Sequence, residues 1–235
     1  MRFVFLQLSR LQYRYAMNCV VTAGPTYEPL DEVRRLTNFS TGRLGTELGN
    51  YLTARGHNVT LLIGETSVYS GYRKARRVET FTTTADLRDK LKALATKKVD
   101  AIFHAAAVSD FSFGRVFEPN DNGKLSEGKE AKKISTRRGK LLVELLPTAK
   151  IIADLRTWFP KTKIVGWKFE ADGSRSDALA AAQKQLADCS TDLCVVNGPA
   201  YGEGFGLVGG KGAPGHLPNP PVLFDALEKF TRAGA

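Results

Sequence analysis

Short apolar runs alternate with amphipathic stretches along most of the chain. Residues 19–23 form a first apolar strand, which breaks at Gly24-Pro25. A polar loop leads to a second glycine-bearing turn, Asn38 to Gly45, and then to a helix carrying Leu44, Leu48, Tyr51 and Leu52 on one face. Gly56-His57 closes that helix; residues 58–63 read as a buried strand and residues 64–76 as a polar, basic loop. A strand over 78–81 precedes a helix over 84–95, capped at Thr84, with Leu87, Leu91 and Leu94 aligned. Residues 100–111 begin as a continuous apolar run, as a central parallel strand does. Strands are predicted over 141–146, 163–170 and 192–196, and helices opening over 147–152 and spanning 174–186 and 222–230. Residues 202–215 read as a glycine-rich hairpin or loop near the sheet edge. The alternation predicts an α/β fold, Rossmann-like, with a doubly wound and mostly parallel sheet. No internal repeat or long linker divides the chain, so residues 18–232 read as a single domain.

Two stretches hold candidate chemistry. Strand, Gly-rich turn and helix N-terminus over 20–49 make a phosphate-type site, where backbone N–H groups and the positive end of the helix dipole converge. Ser40 and Thr41 can cap the helix or donate to a ligand. Small residues are needed there because a Cβ would hold the backbone away from an anion. Neither GxGxxG nor GxxxxGK(S/T) is present, so a plain dehydrogenase or P-loop reading is not licensed, and a merely structural βα turn stays open. The second stretch is the carboxyl end of the 100–111 run, with Ala105-Ala106-Ala107 and then Ser109-Asp110. Ligands of open α/β sheets bind outside such strand ends. Residues 112–140 show no hydrophobic period and read as a Lys-rich mobile flap or binding loop.

Composition narrows the partners. With 235 residues, 43% of them apolar and 25% charged, the chain suits one soluble α/β domain. The net charge of +10, from 34 basic and 24 acidic residues, attracts polyanions. The basic residues are scattered apart from clusters at 73–77 and 129–140, and no RNA-binding aromatic motif or Cys/His finger supports nucleic acid. A phosphorylated small substrate fits at least as well. Cys19, Cys189 and Cys194 form no CxxC pair, which reads as buried thiols in a reducing compartment. His57, His104 and His216 lie far apart and read as core or incidental histidines. Residues 1–17 hold no apolar run of bilayer length, being interrupted by Arg2, Arg10 and Arg14, and no signal-peptide core. They read as an N-terminal extension, which a start codon called too early, with translation beginning at Met17, would explain.

The stretch TAGPTYEPLDEVRRLTNFSTGRLG resembles the opening signature of phosphopantothenoylcysteine synthetase, also called phosphopantothenate–cysteine ligase. That pattern is a TxGxT-x-E-P-(I/L)-D loop, then VR, then N-x-S-(S/T)-G-(K/R)-x-G. The family's A-A-V-(A/S)-D-(F/Y), K-I flap, V-G-F-(K/A)-x-E and A-N motifs follow in order, here as AAVSDF, KKIS, VGWKFE and VVNG. The resemblance covers roughly residues 18–232. It implies a ligase that joins 4′-phosphopantothenate to L-cysteine in coenzyme A biosynthesis through an acyl-nucleotidylate, using CTP or ATP with magnesium. It further implies that Lys133, or less directly Lys132, stabilises developing phosphate charge from a flexible active-site flap, and that Asn38 holds the carboxyl or acyl group. Gly24, Ser40, Gly42 and Gly45 would form the nucleotide cradle, with Asp110, Trp167 and Asn197 at ribose or base. Ala106 and Ala107 would let phosphopantothenate lie against the backbone, with Arg34 and Arg43 as anionic clamps. Two departures stand out: Trp167 replaces the usual Phe, and of two helix lysines facing the triphosphate only Lys184 is retained, Cys189 standing at the second place. The flavin-dependent decarboxylase half of many relatives is absent, so no FMN is implied. A cytoplasmic homodimer acting on small molecules, without nucleic acid or membrane, is expected. The alternative is a nucleotide-binding α/β protein of the same fold with a different substrate or no catalysis.

Overall fold

The computed structural model describes residues 16–120, 122–127, 133–135, 139–209 and 215–232. Most of the extension over 1–17, and Lys132 of the flap, lie outside the described residues. At the centre stand six parallel strands: β1 (Asn18–Ala23), β4 (Asn58–Gly64), β5 (Arg77–Phe81), β6 (Ala101–His104), β10 (Lys163–Phe169) and β11 (Leu193–Asn197). The antiparallel β12 (Phe205–Gly209) and β13 (Gly215–Leu217) extend one edge, giving the order β13-β12-β11-β10-β6-β1-β4-β5. From β1 the chain winds outward through β4 and β5, then returns to lay β6 on the opposite side of β1. The topological switch therefore falls between β1 and β6, and a ligand crevice is expected above their carboxyl ends.

Strand alternation sends neighbouring side chains into opposite layers. Cys19, Val21 and Ala23 pack with Leu48 and Leu52 of α1 (Arg43–Ala54) and with Leu223 and Leu227 of α5 (Pro220–Arg232). Val20, Leu62, Ile102 and Ile164 face the other way, against Leu87 and Leu91 of α2 (Thr84–Leu94) and Leu155 of α3 (Ile151–Trp158). Helix α4 (Arg175–Cys189) lays Ala178 and Ala182 on Cys194 and Val196. Each fully buried Leu, Ile or Phe contributes about 1.5–3 kcal/mol, which is why the sheet is covered on both faces. Among the described residues no helix is long and apolar enough to cross a membrane.

Three predictions need correction. The cap of α2 is Thr83, whose hydroxyl accepts from the Asp86 N–H; Thr84 is helical, and its N–H goes to the Glu28 carboxylate at 2.9 Å. The polar loop after β1 contains a hairpin, β2 (Tyr27–Pro29) with β3 (Arg35–Thr37). Much of the supposed unstructured stretch over 112–140 is β7 (Phe111–Pro119) and β8 (Leu125–Glu127), which join β9 (Leu142–Pro147) in a separate antiparallel sheet. Its pairs, Phe113 with Leu145 and Phe117 with Leu142, are interrupted by a register shift between Phe113 and Val116. That irregularity breaks the apolar period that would have announced the strand.

Candidate functional site

The carboxyl ends of β1 and β6 are knitted together. The Ala107 N–H donates to the Gly24 carbonyl at 2.9 Å, and the Thr26 N–H returns to the Ala107 carbonyl at 3.1 Å. The Thr26 hydroxyl accepts from the Ser109 N–H at 2.8 Å, closing the same corner. Beneath it, the Thr22 hydroxyl accepts from the Ala106 N–H at 3.1 Å and meets His104 Nδ1 at 2.9 Å. Burial pushes the His104 pKa down to about 4, so the ring is a neutral structural strut. Residues 105–108 are half-buried at the rim.

The glycine turn closes over this corner. Gly24 and Gly42 have φ of +76° and +79°, the left-handed region. A Cβ on Gly24 would lie 1.8 Å from Ser67 Oγ, and one on Gly42 2.9 Å from the same atom. The turn after β4 is thus seated on both glycines, and Ser67 Oγ is buried there without a hydrogen-bond partner among the described residues. A Cβ on Gly45 would meet that of Ala23 at 2.6 Å, so the first turn of α1 abuts the end of β1. Helix α1 starts at Gly42 with no side-chain cap and no acidic residue in its first turn, which leaves the positive end of its dipole uncompensated. The Thr41 hydroxyl accepts from the Arg43 N–H at 3.3 Å, and Ser40 sits half-buried beside it.

Asn38 reaches across the switch point: its side-chain amide donates to the carbonyls of Ala107 at 3.3 Å and Val108 at 3.2 Å. The hairpin leading to it is tied to the flap. Asp31 Oδ1 accepts from the N–H groups of Val33 and Arg34, while Oδ2 takes the Arg34 guanidinium at 2.6 Å and the Ile134 N–H at 3.1 Å. The guanidinium also donates to the Ile134 carbonyl at 2.5 Å. Partial desolvation pushes the Asp31 pKa upward, but the N–H donors of Ile134 and Val33 together with Arg34 outweigh it and hold the carboxyl well below the usual range. Ile134 is buried, and its neighbour Lys133 is exposed.

The other predicted residues are placed less uniformly. Asp110 is exposed at the end of the same rim, its carboxylate without a partner among the described residues. Arg34 is committed to Asp31 and Ile134, and Arg43 pairs with Glu47 at 2.8 Å, so neither guanidinium stands idle over the crevice. Trp167 is half-buried against the α1–α5 layer, with its indole Nε1 buried and without a partner among the described residues. The exposed aromatic at that strand end is instead Phe169, which lines an open hollow of about 520 Å³ with Asn197, Glu203, Phe205 and Pro218. Lys184 lies away from the rim: it pairs with Asp188 at 2.9 Å, and the adjacent Gln185 touches Cys194 at mid-strand. Sequence reasoning missed Asp31, Ser67 and Phe169. Asp31 stood inside the first quoted motif, but only its partners, far away in the chain, reveal what it holds. Among the described residues no group of three or more His, Cys, Asp or Glu could hold a metal ion.

The sequence and the fold have known counterparts. The family model of the DNA/pantothenate metabolism flavoprotein C-terminal domain matches residues 15–209. The chain is 35% identical over 179 residues to the coenzyme A biosynthesis bifunctional protein CoaBC of Thermococcus kodakarensis, a match covering 76% of this chain and 40% of that protein. The chain thus spans less than half the length of that curated relative. A crystal structure of the DNA/pantothenate metabolism flavoprotein from Streptococcus pneumoniae superposes with a TM-score of 0.79 at 24% identity, covering 93% of this chain and 99% of the other. A mutant Cab2 in complex with phosphopantothenate-cysteine superposes with a TM-score of 0.66 at 21% identity, covering 97% and 92% of the two chains.

Proposed function

Because the chain belongs to the family of the DNA/pantothenate metabolism flavoprotein C-terminal domain, we propose that it ligates 4′-phosphopantothenate to L-cysteine through an acyl-nucleotidylate. The observation that carries this reading is Asn38, held against the Ala107 and Val108 carbonyls beside the uncapped glycine turn. A carboxylate is a poor electrophile. One of its oxygens first attacks the α-phosphorus of a nucleoside triphosphate and expels pyrophosphate. The cysteine amine then attacks the activated carbonyl, loses a proton, and releases the nucleoside monophosphate with the new C–N bond in place.

In the first step charge grows on phosphate oxygens. The N–H groups opening α1 and the Lys133 ammonium are the donors this chain offers. In the second step it grows on the carbonyl oxygen, and we assign the acyl group to Asn38, whose amide nitrogen is fixed on the Ala107 and Val108 carbonyls and whose side-chain oxygen stays available. Ala106 and Ala107, half-buried at the rim, are the wall we assign to phosphopantothenate. Phe169 and Asn197 line the hollow assigned to ribose and base, with exposed Asp110 on the rim as a further candidate; Trp167 packs behind that strand end. Magnesium, arriving as a complex with the nucleotide phosphates, would supply charge neutralisation there, with the Lys133 ammonium beside it. Holding both reactants in one crevice supplies much of the remaining rate.

We extend the proposal to a homodimer formed through the β8-β7-β9 sheet. Phe111 and Leu145 are 44% and 48% exposed and share one face of the paired strands β7 and β9, an apolar patch that a second copy would cover, while Leu142 and Leu146 project from the other face. The three buried free thiols accord with a reducing cytoplasm. The reading is tested by incubating 4′-phosphopantothenate, cysteine and magnesium with CTP or ATP supplied separately. Phosphopantothenoylcysteine with pyrophosphate is the expected product. No product with either nucleotide would overturn it.

A further inference from the structure

The clasp around Asp31 does more than close a hairpin turn. Oδ1 alone serves that turn, through Val33 and Arg34; Oδ2 is spent on the Arg34 guanidinium and on Ile134, which is 103 residues further along the chain. The Asp31 side chain is 1% exposed beneath an Arg34 side chain that is 41% exposed, so the bonds to Ile134 are the partly buried ones and the pair's outer side faces solvent. Arg34 completes the ring by donating to the carbonyl of Ile134, so both main-chain groups of that residue are held. The Ile134 side chain, 7% exposed, is buried as well.

We propose that Asp31 and Arg34 are positioning residues that latch the 133–135 segment onto the hairpin carrying Asn38, and so fix where Lys133 stands. This rests on the ligase reading for the part that concerns Lys133. The latch couples two groups serving different half-steps: the loop that ends at Asn38 and the segment that bears the lysine share one carboxylate. It also assigns Arg34 a task other than binding a substrate anion. Its guanidinium is turned to Asp31 and a carbonyl, and releasing it would release the flap.

The test is Asp31→Asn, compared with Arg34→Lys and the double variant in the full chain. Asparagine keeps the Oδ1 acceptor for the turn but sets an NH2 group against the Arg34 guanidinium and the Ile134 N–H. The turn survives and the latch opens. The readouts are hydrogen exchange at the Ile134 amide, melting temperature, and kcat and KM for each substrate. The expected result for Asp31→Asn is a melting temperature near wild type, lost Ile134 protection, and a turnover reduced by roughly ten- to a hundredfold with KM for phosphopantothenate little changed. Arg34→Lys, which keeps the charge but loses the fork, should fall by a similar factor, and the double variant by no more than the worse single one. Unchanged Ile134 exchange in Asp31→Asn overturns the latch. Lost protection with wild-type turnover overturns its positioning role, and a raised KM for phosphopantothenate in Arg34→Lys alone returns Arg34 to anion binding. Should the wild type make no product, the ligase reading falls and the exchange experiment still judges the latch.

Discussion

Asn38 and Ala107, 69 residues apart in the chain, meet across the switch point: the side-chain amide of one donates to the backbone carbonyl of the other at 3.3 Å. The Val108 carbonyl lies at 3.2 Å from the same nitrogen, so the amide caps the end of the alanine run. In Asn38→Asp a carboxylate oxygen would face two carbonyl oxygens, and the loop must turn away. Asn38 is exposed, and the hairpin before it is held independently by Asp31, so the fold should stay intact. The expected outcome is a loss of turnover of about a hundredfold or more with a nearly unchanged melting temperature. An unfolded variant would make Asn38 a structural cap instead.

Lys133 carries no core with it. Its exposure means that Lys133→Ala removes a charge without opening a cavity. Single-turnover measurement should show formation of the acyl-nucleotidylate slowed by about two to three orders of magnitude, while calorimetry shows no loss of stability. Wild-type turnover in that variant would move the role elsewhere.

Gly24→Ala should act on stability first. At φ +76° any side chain is strained, by about 1–3 kcal/mol, and its Cβ would stand 1.8 Å from Ser67 Oγ. Denaturant unfolding of Gly24→Ala, alone and with Ser67→Gly, separates the two effects. Removing the hydroxyl should recover the steric part and leave the conformational part. If Ser67→Gly recovers nothing, the seating of that turn on the glycines is not what excludes a Cβ.

The central sheet was legible because its strands are buried on both faces. Runs such as Ala101–His104 and Leu193–Asn197 are almost uninterrupted apolar stretches, and their helices carry clear stripes. Asn38, the glycine turn and the alanine run were legible too, and the structure places them at one corner. What escaped is non-local. Nothing near Asp31 in the sequence announces Ile134, and nothing near Ser67 announces Gly24 and Gly42. The β7–β9 pair escaped because a bulge and half-buried faces blur the period of two. Lys184 was drawn toward the nucleotide by its motif, whereas the helix register leaves it paired with Asp188.

The small sheet makes the oligomer testable. Leu145 is 48% exposed and sits opposite Phe113 on the face that also carries Phe111, so Leu145→Asp puts a charge into that apolar patch without touching the main sheet. Light scattering should report a dimer for the wild type and a shift toward monomer for the variant, whose fold persists. A wild-type monomer at micromolar concentration would remove the dimer from the proposal.

The last prediction concerns acid. His104 is neutral when folded, with a pKa near 4, while an unfolded histidine titrates near about 6.5. Between those values the unfolded chain binds a proton that the folded chain refuses. Stability contributed by His104 is therefore complete above about pH 6.5 and is lost as the pH falls toward 4. The loss amounts to about 3 kcal/mol if the ring stays buried throughout. Burial lowers His57 as well, with its hydrogen bond to Glu228 opposing, so it adds in the same direction. Carboxylates such as Asp31 and Asp86, whose folded pKa values are lowered, lose their contribution only as the pH drops below about 4.5. In the upper part of that pH window, above the range where Glu228 and Glu144 also begin to lose their contribution, histidine dominates the slope. Denaturant unfolding at several pH values should give a slope there that flattens in His104→Asn, whatever that variant's absolute stability. Parallel curves for wild type and variant would show that His104 titrates normally and that the strut between β1 and β6 accommodates a charge.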